Sequence, residues 1–215
     1  MIAERLAVAV ASGVRQIGQV AILPDTAGAK YALCHIEDRD APGELEVHRD
    51  PGAAREISTW AADGRYRFTK GELSLVRGWL LLLETDEELR RALDLFYPAA
   101  IGLWLAGAED SLSVQHLRDK LARQTGMYQF ARNISTEGAQ RLVREVCGPG
   151  NCCVKKILWQ IDDETPLDPS EASRFPGYLD TGVEAIPLLC REACNHFVAE
   201  CRKASKKEFE AKSGS

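Results

Sequence analysis

Short apolar runs of β-forming residues and stretches with helical spacing interleave through the first half of the chain, and helical patterns dominate beyond it. Residues 2–12 are Ala-rich and helix-compatible. Residues 19–24 and 31–37 are β-rich and flank a polar stretch whose Gly28 suits a hairpin or near-hairpin. Residues 44–48 predict a further strand. Asp50, Pro51 and Gly52 then open a helix expected to reach about residue 62, with Asp50 as N-cap and Pro51 in the first helical position. Residues 80–83 fit either a buried strand or part of a helix, because periodicity does not separate the two in so short a run. Thr85 predicts the start of a helix ending at Phe96: its hydroxyl meets free amides, and Asp86, Glu87 and Glu88 favour the positive helix end. Tyr97 and Pro98 interrupt it, and residues 99–105 resume an apolar segment.

Further on, residues 111–125 predict an amphipathic helix with Leu112, Val114, Leu117 and Leu121 apolar, ended by Gly126. Residues 135–146 predict another, capped by Ser135 with Glu137 in its first turn, and it delivers the chain to Cys147. From Lys203 the chain is charged and rich in small residues, as a fraying helix and tail would be. The fold class expected is α+β: a mixed N-terminal α/β region with a small sheet over residues 1–134, a mainly helical region over 135–205, and a flexible tail over 206–215.

Composition narrows the class of function. The 215 residues are 45% hydrophobic and 27% charged, as in an ordinary soluble globular protein. The formal net charge of -5, with basic residues gathered only near the C-terminus, argues against a nucleic-acid partner. No apolar run approaches the roughly 20 residues that span a bilayer, so no membrane role is expected. Residues 6–14 are apolar and contain an Ala-x-Ala pattern, but Glu4 acidifies the leader and the apolar pattern continues into residues 20–23, which disfavours export. Seven cysteines, an odd number, disfavour a disulfide framework and point to a reducing cytoplasm, where clustered cysteines serve metal or redox chemistry. Cys34 stands alone, and the other six lie between Cys147 and Cys201.

Two groups of cysteines carry the chemistry. The first is Cys147-Gly148-Pro149-Gly150-Asn151-Cys152-Cys153, a loop whose glycines permit unusual backbone angles and free amides that point inward. The second is Cys190-Arg191-Glu192-Ala193-Cys194, whose i, i+4 spacing would place two thiols on one helix face about 6 Å apart along the axis. A cubane cluster needs four soft thiolates converging from different directions, and ligands drawn from these five cysteines would supply them. Cys201 lies about 10 Å further along the same helix and would be out of reach; with Cys34 it reads as a buried small hydrophobe or a surface thiol. Spacing does not choose between Cys152 and Cys153. Structural zinc is the main competitor, but its sites favour Cys-x-x-Cys knuckles and neither group is one. A dithiol redox pair and simple core cysteines are the others.

At these residues the sequence resembles a bacterial family of [4Fe–4S]-binding domains whose members are fused to a sirohydrochlorin cobaltochelatase type of chelatase. The resemblance lies in Cys147-Gly148, in Cys153 followed by Lys155-Lys156-Ile157-Leu158-Trp159, and in Pro187-Leu188-Leu189-Cys190 with Cys194-Asn195. Arg77-Gly78-Trp79 and Tyr97-Pro98-Ala99-Ala100 resemble the domain that precedes and steadies the cluster domain in that family. The resemblance implies a [4Fe–4S] cofactor held by Cys147, Cys153, Cys190 and Cys194. It favours Cys153 through the step to Trp159, with Cys152 as the alternative. It also implies residues 1–134 as a stabilising or partner-binding domain and 135–205 as the cluster-binding region. The chelatase itself is not matched: His35, His48, His116 and His196 are scattered without ligand spacing.

Lys155, Lys156 and Arg191 would offset the negative charge of such a cluster, and Trp159 would screen it. An all-cysteine ligand set suits electron transfer or redox sensing for a redox or chelatase-type protein partner, with a link to tetrapyrrole or cobalamin metabolism implied by the resemblance alone. A structural zinc or iron–sulfur domain of an interaction subunit is the alternative. Asp162, Asp163 and Glu164 read as a turn, and no triad or phosphate loop supports an enzyme.

Overall fold

The computed structural model describes residues 1–26, 28–147, 153, 155–167 and 184–213. Its elements, in chain order, begin with α1 (Ile2–Ala11), β1 (Gln16–Ile17), β2 (Val20–Thr26), β3 (Ala29–His35), β4 (Glu46–His48), α2 (Ala53–Ile57) and β5 (Trp79–Leu83). They continue with α3 (Asp86–Phe96), α4 (Ala100–Ala108), β6 (Gln115–His116), α5 (Leu117–Ala122), α6 (Thr136–Leu142), β7 (Lys156–Ile157) and β8 (Trp159–Gln160). The last are β9 (Ala185–Ile186), β10 (Leu189–Cys190) and α7 (Asn195–Ser213). Helices and a small mixed sheet together make the fold α+β. The chain divides into two compact units: Met1–Ser111 with the described part of Gly177–Leu188, and the described parts of Leu112–Pro176 and Leu189–Ser215. Residue 134, where the sequence places a boundary, falls inside the second unit.

In the first unit the described strands form one sheet in the order β4-β5-β3-β2-β1-β9. The β2–β3 hairpin closes at the Thr26–Ala29 pair around Gly28, whose φ of +79° is the conformation such tight turns require. The ambiguous run at residues 80–83 is a strand. β5 pairs with β3 on one edge and with β4 on the other, and it is buried at every position. On one face of the sheet Ala21, Ala32, Cys34, Leu80 and Leu82 cluster; alternation sends Ile22, Leu33 and Leu81 to the other face. α1 packs on α3, α4 and β2. α3 forms as the sequence predicts, with Glu88 N donating to Thr85 Oγ1 at 3.2 Å and Thr85 N donating to the Glu88 carboxylate at 3.1 Å.

The helix expected from residue 50 to 62 is short, ending at Ile57. Ser58 and Thr59 turn their hydroxyls onto the carbonyl of Arg55 (3.0 and 2.7 Å), a local bond that competes with helical continuation. Trp60 and Ala61 then bridge to Tyr66 and Leu75. Asp50 accepts from Gly52 N at 2.9 Å in the turn before the helix, and Gly52 is the cap.

The second unit is built differently. The helix expected over residues 111–125 covers only Leu117–Ala122, because Gln115–His116 pairs in parallel with Trp159–Gln160. Val114, expected on the buried face, is 52% exposed. A 3-10 stretch, Gly126–Asn133, follows, and α6 runs into a widened π turn at Val143–Cys147. Ser135 caps α6, accepting from Gly138 N at 2.9 Å. α7 continues to Ser213, so residues 206–213, expected as tail, are helical. Leu117, Leu142, Ile157, Trp159, Phe197 and Cys201 share the core. Among the described residues no helix is long and apolar enough to cross a membrane.

Candidate iron–sulfur site

The segment that follows Cys153 does two jobs in succession. Lys156–Ile157 pairs in parallel with Leu189–Cys190, and Trp159–Gln160 pairs with Gln115–His116. Between them Leu158 N donates to the carbonyl of Cys190 at 2.9 Å. This non-local pairing brings the second cysteine group beside the end of the first. It also overturns the expected helix: Cys190 closes β10, and Cys194 stands just before the first residue of α7. The two thiols therefore do not share a helix face.

Cys194 caps α7. Its sulfur accepts from Phe197 N at 3.5 Å, and its carbonyl accepts from Val198 N at 3.0 Å. Orphan amides and the positive end of a 19-residue helix suit a sulfur that bears negative charge. Cys190 is half-buried, and its sulfur donates to the Glu192 carbonyl at 3.2 Å. Burial pushes its thiol up to about 11; the Trp159 side chain and Lys155 oppose that rise, while Cys194 and Cys153 add to it. Cys147 ends the π turn and, like Cys190, packs half-buried against the core of the second unit.

Cys201 is fully buried in α7, where burial raises its thiol to about 12, and Cys34 is fully buried in β3, its thiol raised to about 11 for the same reason. Both are small core residues. Cys152, and the Gly-Pro-Gly turn of residues 148–150, lie outside the described residues. Lys155 and Lys156 are half-buried and Arg191 is exposed. Asp162 makes the expected turn, accepting from Thr165 N at 2.6 Å.

One tie on the Cys190–Cys194 connection has no signal in the sequence. Glu192 pairs with Lys120 of α5 at 2.8 Å and with Arg123 at 3.8 Å. In the sequence Lys120 reads only as the polar side of a helix. Its partner lies 72 residues away, which spacing does not reveal.

Among the described residues, no three or more His, Cys, Asp or Glu side chains gather tightly enough to hold a single metal ion. Thiolates on different corners of a cubane stand further apart than ligands of one ion, so thiols from separate segments, here Cys147, Cys153 and Cys190 half-buried and Cys194 exposed, are the donor set a polynuclear iron–sulfur group takes. A second observation fits the same group: the indole Nε1 of Trp159 is buried and has no hydrogen-bond partner among the described residues.

Comparison with known proteins agrees with this chemistry. Residues 109–203 match the family of the 4Fe-4S iron-sulfur cluster binding domain. Residues 2–107 match the family of the DR2241 stabilising domain. The second region is thus a cluster-binding domain, and its cofactor is a [4Fe–4S] cluster. The fold is similar to a crystal structure of DR2241 from Deinococcus radiodurans, described as a multi-domain protein with structural similarity to chelatases and two additional novel domains. The likeness has a TM-score of 0.73 at 25% identity and covers 94% of this chain. It covers 42% of that one, so the chain spans less than half of its solved relative. Among curated proteins none matches.

Proposed function

We propose that Cys147, Cys153, Cys190 and Cys194 are the four cluster ligands, and that the protein serves one-electron transfer or redox sensing for a protein partner in the cytoplasm. The observation that carries this reading is the convergence on Cys190. Lys156–Ile157, just after Cys153, pairs with Leu189–Cys190, Cys194 follows four residues on, and Cys147 packs with Cys190 against the same core. When bound, the cluster supplies reversible one-electron chemistry. The chain's residues do the rest. Four cysteines leave no corner open for substrate, the core of the second unit limits water, and Lys155 beside Cys190 offsets negative charge. The chelatase similarity of the solved relative supports a chelatase-type partner and a setting in tetrapyrrole or cobalamin metabolism.

The test begins with anaerobically purified protein analysed for iron and sulfide. Serine replacing Cys147, Cys153, Cys190 or Cys194 is expected to lower cluster content sharply, whereas Cys34→Ser and Cys201→Ser leave it intact. A full cluster in Cys153→Ser combined with its loss in Cys152→Ser would transfer that ligand to Cys152. Reversible reduction by dithionite is expected of an electron carrier. A cluster that resists reduction would favour a second reading, a structural role, which the two-residue strands of the second unit make physically reasonable.

A further inference from the structure

The least comfortable polar atom near the site is the indole nitrogen of Trp159. The residue is 1% exposed, and its buried Nε1–H has no partner among the described residues. A stranded donor of this kind is costly, and native proteins leave few of them. The ring has little freedom to escape. Trp159 is fixed in β8 by its pairing with Gln115, and its ring lies against Phe197 with centroids 5.3 Å apart.

The segment that carries the ring runs beside Cys190, whose register partner is Ile157, two residues before Trp159. The Leu158 N bond to the Cys190 carbonyl, at 2.9 Å, sets the two segments in register. The indole acts on the Cys190 sulfur in the direction of a donor, although no hydrogen bond of ordinary geometry closes. The reason is visible in the sulfur's present bond. As a thiol, Cys190 donates its proton to the Glu192 carbonyl at 3.2 Å. A thiolate bound to iron has no proton to donate and only lone pairs to offer. The donor that is buried, unspent and adjacent is then Trp159.

We propose that in the cluster-loaded protein Trp159 Nε1–H donates a hydrogen bond to Cys190 Sγ, and that this bond raises the reduction potential of the cluster. The inference rests on Cys190 being a ligand. An N–H directed at a ligand sulfur stabilises the more negative, reduced state more than the oxidised one, so its removal makes reduction harder. Trp159 is a positioning and tuning residue, acting through the sulfur.

The experiment uses the full chain, reconstituted anaerobically, with Trp159→Phe as the variant that keeps a ring and removes the donor. Iron and sulfide per chain are expected to match the parent. At a fixed applied potential the reduced-to-oxidised ratio is expected to fall about tenfold, which for one electron is a shift of about 59 mV to lower potential. An unchanged potential in a fully loaded variant overturns the proposal. If Trp159→Phe does not load, the parent decides. The protein has four tryptophans, and with ¹⁵N-indole labelling one N–H resonance is expected to move between the cluster-free and loaded states. Four unmoved resonances overturn the proposal. Cys190→Ser separates the two levels of the inference: full iron content with the parent's potential would defeat the ligand assignment itself, whatever Trp159 does.

Discussion

The first unit is held together by backbone pairing, and the second by side chains. In the first, β2, β3 and β5 pair through long ladders, and α3 closes with a complete capping box over buried Leu89, Leu93 and Phe96. In the second, each of β6, β7, β8 and β10 has two residues, and much of the chain lies in 3-10, π and irregular segments. Specific polar ties compensate. Arg118 reaches the Ile134 carbonyl (2.8 Å) and Thr136 Oγ1 (3.0 Å), Glu208 accepts from both N and Oγ of Ser135 (2.9 Å each), and Glu192 pairs with Lys120. Periodic pairing alone therefore does not order the ligand segments of the second unit. A bound cluster that joins them is a cross-link, and its binding free energy is folding free energy.

The largest effect expected is that of removing the cluster. The second unit is expected to lose several kcal/mol, a fall in its melting midpoint of tens of degrees at about 4–8 °C per kcal/mol for a domain of this size. Residue-resolved hydrogen exchange should show protection lost around Ile157, Trp159 and Phe197 and kept at Leu33, Leu81 and Leu93. Equal protection with and without the cluster would erase the contrast between the units.

Phe96→Ala probes the opposite side. Phe96 is fully buried and stacks on Trp79 with centroids 4.9 Å apart, so its truncation is expected to cost about 3–5 kcal/mol. Below the lowered melting point, the cluster's absorbance should be unchanged. Iron released in step with the first unit's melting would mean that the two units do not hold their structure separately.

How much of this was legible in the sequence follows the same division. Thr85 with Glu88, Gly28 between β-rich runs, and Ser135 before α6 are local signals, and each forms as read because its partners lie within a few residues. Residues 80–83 stayed ambiguous until β3 and β4 supplied neighbours on both edges. The cysteine groups were visible by composition, but their arrangement was not. The i, i+4 spacing of Cys190 and Cys194 imitates a helix, whereas Cys190 pairs with Ile157, 33 positions earlier in the chain by the difference of their numbers. The buried polar set of the first unit was hidden for the same reason. Tyr97 accepts from Gln19 N at 2.8 Å, Gln19 Oε1 accepts from Leu75 N at 3.1 Å, and His35, held below its ordinary pKa by burial, lies 3.3 Å from Gln19 Nε2.

Two caps, one in each unit, sharpen the comparison at smaller scale. Thr85→Ala removes an exposed cap and is expected to cost about 1 kcal/mol in the first unit. Ser135→Ala removes a cap and also the hydroxyl that donates to Glu208, and it is expected to cost about 2 kcal/mol in the second. Denaturant midpoints at constant m measure both. A Ser135 variant less affected than the Thr85 variant would count against side-chain ties as the organising force of the second unit.

The smallest effect expected is a pH dependence confined to the first unit. Asp38 is held below its ordinary pKa: burial works against its ionisation, but the Gly78 amide and the Arg77 guanidinium, bonded at 2.9 and 2.7 Å, outweigh it. Between the folded and unfolded pKa values the unfolded chain binds more protons, so stability rises with pH. The contribution is complete above the unfolded value near 3.9 and is lost as pH falls through the lower, folded value. Arg77 is half-exposed, so the pair belongs in the surface range of about 1 kcal/mol or less. Asp38→Asn is therefore expected to lower the first unit's midpoint slightly at pH 6 and by a shrinking amount toward pH 3, with the second unit's midpoint unmoved. A difference that stays constant over that range would show that Asp38 acts through the shape of its turn and not through its charge.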